Sequence, residues 1–100
     1  MFTNKRYITC GIANEIPDEI QVMLWIMIDN LRRSTPIGLD YLQVFWLFSQ
    51  DGKQKIVHSQ EQPEYRNEIL VALLCQPVEK AKIFVIDDGG HSTMMLAEEY

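Results

Sequence analysis

The sequence predicts an α+β fold: an antiparallel, curled sheet of about five or six strands built from hairpins, with one main helix over about residues 17–33 packed on it. Three observations predict it. Short alternating segments rich in β-branched and aromatic residues recur along the chain. Asp51-Gly52 stands between two of them as a two-residue hairpin signal, because a type I′ turn needs positive φ at both central positions. Residues 17–33 alone carry a long apolar stripe at helical spacing with start and stop signals at its ends.

Arg6 to Ile12 alternates and reads as the first strand. Pro17 suits a first helical position. Asp18 and Glu19 then sit at the positive end of the helix dipole, and Arg32 and Arg33 at its negative end. Ser34, Thr35, Pro36 and Gly38 break the helix. Tyr41 to Gln50 and Lys53 to Ser59 form the hairpin around Asp51-Gly52. That turn sets Gln50 opposite Lys53, Phe48 opposite Lys55 and Trp46 opposite Val57, with Leu47 opposite Ile56 and Phe45 opposite His58. Residues 65–75 fit either a buried strand or a second helix, since Tyr65, Ile69, Ala72, Leu73 and Gln76 also make a helical stripe. Lys82 to Asp87 is a strand, Asp88-Gly89-Gly90-His91 a turn, and Thr93 to Ala97 the last strand.

A chain of 100 residues suits a single domain, residues 1–100. Its 11.7 kDa predict a folded surface of roughly 5,900 Å², about a third of the unfolded value, so a core can form without a metal or disulfide. Net charge −5 makes nucleic acid an unfavoured partner. No secretory signal is visible, and the longest apolar run, Val22 to Ile28, is far short of the ~20 residues that cross a bilayer. Cys10 and Cys75 lack CxxC spacing and are expected reduced and buried. These features predict a cytoplasmic protein.

Asn4-Lys5-Arg6-Tyr7-Ile8-Thr9, Ile16-Pro17, His58-Ser59-Gln60-Glu61-Gln62-Pro63-Glu64-Tyr65, Lys82-Ile83-Phe84-Val85-Ile86-Asp87 and Thr93 to Tyr100 together carry a resemblance. The chain resembles the small cytosolic proteins of Gram-positive bacteria and their mobile elements grouped as domain of unknown function 960. The resemblance spans nearly the whole chain. It implies a strand over residues 65–75, implies no activity, and carries no catalytic residue across.

No nucleophile elbow, phosphate-binding loop or dinucleotide fingerprint is present. His58, Glu61 and Glu64 have a spacing that could hold a metal on a helix, and His91 or Asp87 could join them, but Pro63 interrupts such a helix. Asp87-Asp88 before two glycines reads as turn chemistry. No catalytic residue, metal ligand or cofactor is therefore assigned. A small metal-binding protein or enzyme using His58, Glu61, Glu64 and His91 is the alternative. A weaker alternative is nucleic-acid binding through Lys5, Arg6, Arg32, Arg33, Lys53 and Lys55.

The favoured reading is a non-enzymatic protein-interaction or regulatory module, because the elements have too many apolar faces. Ile20, Met23, Leu24, Met27, Ile28 and Leu31 form the core stripe of the helix. Val22 and Trp25 fall in its polar sector, and Ile26 lies at the boundary. In the hairpin, Phe45, Leu47 and Ile56 take one face, and Val44, Trp46, Phe48 and Val57 the other. One helix covers one sheet face. The second must be buried by closure of the sheet on itself, by self-association or by another partner. Val22, Trp25, Ile26, Trp46 and Phe48 are the candidate interaction surface, with Trp25 expected at a contact between copies of the chain.

Overall fold

The Asp51-Gly52 turn organises the sheet. Asp51 has φ 52° and Gly52 φ 76°, the two positive values of a type I′ turn. It joins β2 (Leu42–Gln50) to β3 (Lys53–Gln60), and all five pairings expected from the turn are present. The structure, a computed structural model, describes residues 1–34 and 38–100. The predicted helix break at Ser34, Thr35, Pro36 and Gly38 therefore lies partly outside the described residues.

The remaining elements are β1 (Lys5–Ile8), α1 (Cys10–Glu15), α2 (Asp18–Arg33), β4 (Tyr65–Val71), β5 (Lys80–Asp87), β6 (His91–Leu96) and a 3₁₀ turn, Ala97–Glu99. The six strands form one open sheet in the order β1-β6-β5-β2-β3-β4. Four of the five pairings are antiparallel, but β1 runs parallel to β6, so the sheet is mixed. It does not close into a barrel.

The first strand is shorter than expected. The strand expected over residues 6–12 ends at Ile8, and α1 follows. Thr9 caps α1, its hydroxyl accepting the Ile12 N–H at 3.3 Å. Once the chain turns helical, Ile12 and Ile16 lie one turn apart and both enter the core. Residues 65–71 are strand β4, and the helical alternative does not occur. Pairing with the long β3 sets Ile69 opposite Ile56 on the core side.

α2 covers one sheet face. Ile20, Leu24, Met27 and Ile28 pack into the same cluster as Phe45, Leu47, Ile56, Ile83, Val85 and Met94. Gln21, expected on the polar side of the helix, is buried, and its amide donates to the Ile16 carbonyl at 2.8 Å. The accessible surface is 5925 Å², matching the value its mass predicts.

Polar side chains tie the remaining chain to this frame. Asp87 accepts the buried Phe2 N–H at 2.7 Å and the Asn4 amide at 3.1 Å, holding the N-terminal segment against β5. These N–H bonds, that of Phe2 foremost, keep its carboxyl below the usual carboxylate range. Glu99 accepts the Thr9 hydroxyl at 2.6 Å and the Gly11 N–H at 3.2 Å, fastening the C-terminal turn to α1. A Cβ at Gly11 would lie 2.6 Å from that carboxylate, so a larger residue there would displace the Glu99 side chain.

Candidate interaction surface

Strand alternation sends every second side chain to the face that α2 does not cover. On β2 these are Leu42, Val44, Trp46 and Phe48, all half-buried. Register aligns them with neighbours in rows across the sheet. One row runs Lys82–Trp46–Val57–Glu68. The row beside it runs Met95–Phe84–Val44–Ser59–Arg66, and on the other side lies Lys80–Phe48–Lys55–Leu70. The centre is thus apolar and the flanks are cationic. Among the described residues no helix lies over these rows.

Long cationic side chains cover part of the apolar surface. The Lys82 ammonium lies 4.6 Å from the Trp46 ring centroid and 5.4 Å from that of Phe84. Tyr100 meets Phe84 edge-on at 5.7 Å. The Trp46 and Phe48 rings are parallel within 5°, with centroids 6.4 Å apart. Trp46, Phe48, Val57 and Arg66 line a cavity of about 260 Å³ that opens to solvent. Val57 is buried, while Arg66 stands exposed on β4. Arg66 and Lys55 both contact Glu68, at 3.0 and 3.2 Å. Arg66, then Lys55, hold the Glu68 carboxyl below its ordinary value.

Charge is segregated across the molecule. Six of the nine basic residues, Lys5, Lys53, Lys55, Arg66, Lys80 and Lys82, occupy open-face positions on the strands. Among the described strand residues, Glu68 is the one acid on that face. A chain of net charge −5 therefore presents a locally cationic sheet. Sequence reading missed Phe84, Lys82 and Arg66 as parts of this surface. The signal for the first two was the parity of Lys82-Ile83-Phe84-Val85-Ile86, where the odd positions enter the core.

The five sequence-predicted surface residues do not form one patch. Trp46 and Phe48 lie on the open face, whereas Val22, Trp25 and Ile26 lie on α2, beyond the opposite face. Val22 is 56% and Ile26 46% exposed. Trp25 is half-buried against the core and not fully in the polar sector. The Arg6 guanidinium lies over its ring at 4.7 Å and is ion-paired with Asp29. This clamp links β1 to α2.

The residues of the metal-binding alternative do not converge. His58 is fully buried on the core face, Glu61 and Glu64 are exposed beyond the end of β3, and His91 begins β6 on the open face. Among the described residues no group of three His, Cys, Asp or Glu side chains is placed to hold a metal ion. Cys10, expected buried, is exposed at the start of α1; Cys75 is half-buried, and both are free.

His58 instead belongs to a buried polar chain. Its Nε2 lies 2.7 Å from Gln43 Oε1. The Gln43 amide nitrogen donates to Gln60 Oε1 and to the Asp40 carbonyl. Gln60 donates in turn to the carbonyls of Gly38 and Pro63, at 2.8 Å each. With Gln43 Oε1 an acceptor, His58 Nε2 carries the proton and the ring is neutral. Its Nδ1 has no hydrogen-bond partner among the described residues. Burial pushes the imidazole pKa down to about 4. This network fastens the connections flanking β2 and β3 to the sheet, which is a structural role.

The architecture recurs in a solved structure, described as the crystal structure of the protein of unknown function from Enterococcus faecalis. The two are similar with a TM-score of 0.83 and 28% sequence identity, over 97% of this chain and 91% of that one. No curated protein matches the chain. Among the described residues no helix is long and apolar enough to cross a membrane. The model of the family described as staphylococcal protein of unknown function (DUF960) matches residues 5–99, and to that family the chain belongs.

Proposed function

We propose that the protein is a non-catalytic binding module that docks a protein partner on its open sheet face. The observation that carries this reading is the contiguous apolar centre of Val44, Trp46, Phe48 and Phe84 on the side that α2 leaves bare. Fully burying one such side chain contributes roughly 1.5–3 kcal/mol. Each of the four still exposes part of its side chain in the free protein and gains that part on docking. Aromatic residues at the centre of a patch with a charged rim have the anatomy of a protein interface. A cytoplasmic setting accompanies this reading, consistent with two free cysteines, one of them exposed.

The test introduces a photo-crosslinking side chain at Phe48 and, as control, at the exposed Glu15 of α1, in cells of a bacterial host. Discrete adducts from position 48, lost when Val44→Thr is added, are expected. Adducts of equal yield and pattern from both positions would show that the open face has no privileged partner.

A further inference from the structure

We infer that the occupant of the open face is an acidic polypeptide segment that inserts an apolar anchor into the cavity between Trp46, Phe48, Val57 and Arg66. This rests on the binding module proposed above and names the chemistry of its partner. The cavity, about 260 Å³, has aromatic and aliphatic walls and one guanidinium at its edge. It suits a single aliphatic or aromatic side chain flanked by a carboxylate. Around it, Lys55, Lys80, Lys82 and Arg66 stand beside the apolar rows, with Glu68 the acid among them. A complementary surface is therefore apolar at its centre and negative at its rim.

Two other occupants fit less well. A second copy docking open face to open face would set lysines against lysines. A single-stranded nucleic acid needs free ring faces for its bases to stack on. Here Lys82 already lies over Trp46 and Phe84, and Tyr100 meets Phe84 edge-on. The aliphatic neighbours Val44, Val57, Leu70 and Met95 give contact area to side chains and no base-edge hydrogen bonds.

The experiment follows backbone amide shifts of the isotope-labelled full chain by NMR at low salt. The probe is a short synthetic peptide of Glu and Asp with one central Phe flanked by Leu. The comparison probes are the same peptide with Lys for every acid, and an oligothymidine of about a dozen nucleotides. The acidic peptide is expected to give saturable shifts centred on residues 44–48, 55–57 and 66. Lys82→Glu or Arg66→Glu should weaken binding roughly tenfold. Glu68→Gln, which removes the acid from the face, should tighten it several-fold, a gain that impaired folding cannot mimic. The inference is overturned by any of three results. They are no shift with about 1 mM acidic peptide, equal shifts with the basic peptide, or stronger shifts at these residues with oligothymidine. Should the peptide fail while position 48 still gives a discrete protein adduct, the binding module stands and only its acidic partner falls.

Discussion

His58 shows how burial turns a residue with many possible roles into one with a single consequence. Its imidazole is neutral in the folded protein, with a pKa of about 4, and returns to about 6.5 on unfolding. Between those values the unfolded chain binds a proton that the folded chain does not. Stability therefore rises with pH across this window and falls as pH drops through it. The loss attributable to His58 should reach about 2 kcal/mol at pH 5 and about 3 kcal/mol near pH 4. Denaturant unfolding at pH 7 and pH 5 measures it, and in His58→Gln the slope over this window should flatten. An equal wild-type midpoint at both pH values would mean that a proton reaches Nδ1 in the folded state. The position of His58 was legible: the hairpin register set it opposite Phe45, and the two rings stack at 4.3 Å. The glutamine chain was not, because it joins Gln43 to Gln60 and to His58 across two strands, which no local pattern reveals.

At the scale of elements, legibility followed how local the determinant was. The β2–β3 hairpin is fixed by two residues, and its register followed from them. Gly52→Val places a β-branched residue at φ 76° and should cost on the order of 1–3 kcal/mol, read as a lower unfolding midpoint. Position 52 is open to solvent, so a loss there reports backbone strain alone. α1 was hidden by the alternation of Ile8, Cys10 and Ile12, which mimics a strand. Its signals are Thr9 as a cap and Ile16 four residues after Ile12. Thr9→Val removes the hydroxyl that serves both the Ile12 N–H and Glu99, and should destabilise the protein by about 1 kcal/mol. Amide exchange at Ile12 and Gly11 should accelerate together; acceleration at Ile12 alone would mean that the C-terminal turn holds without this clasp. The parallel β1–β6 pairing joins residues 86 apart, Lys5 and His91, and depends on the Asp87 and Asn4 contacts that only the assembled sheet creates. The surroundings of Trp25 likewise include a contact distant in sequence. Helical winding set it among polar residues, but Arg6 of β1 roofs its ring.

Across the whole molecule, apolar surface and positive charge share one side while most of the negative charge lies elsewhere. The excess of apolar faces was visible in the sequence, but the sheet does not close, and among the described residues no helix covers its open face. Lysine stems give the open face partial cover at little cost in solubility. Hydrophobic and electrostatic forces on this face oppose one another for a second copy and cooperate for an acidic partner, so salt should move the two associations in opposite directions. At low salt, like charges hold two open faces apart. At about 1 M salt the screening length falls to ~3 Å, repulsion fades and apolar contact remains. Sedimentation of the wild type at about 100 μM, where micromolar self-association registers, should therefore give a mass that rises from low to high salt. Phe48→Thr should abolish the rise, whereas Val22→Thr on α2 should leave it unchanged. A mass that instead falls with salt would place opposite charges in the contact, joining the cationic sheet of one copy to an acidic surface of the next. Such a contact is head-to-tail and extends to chains unless its rotation closes.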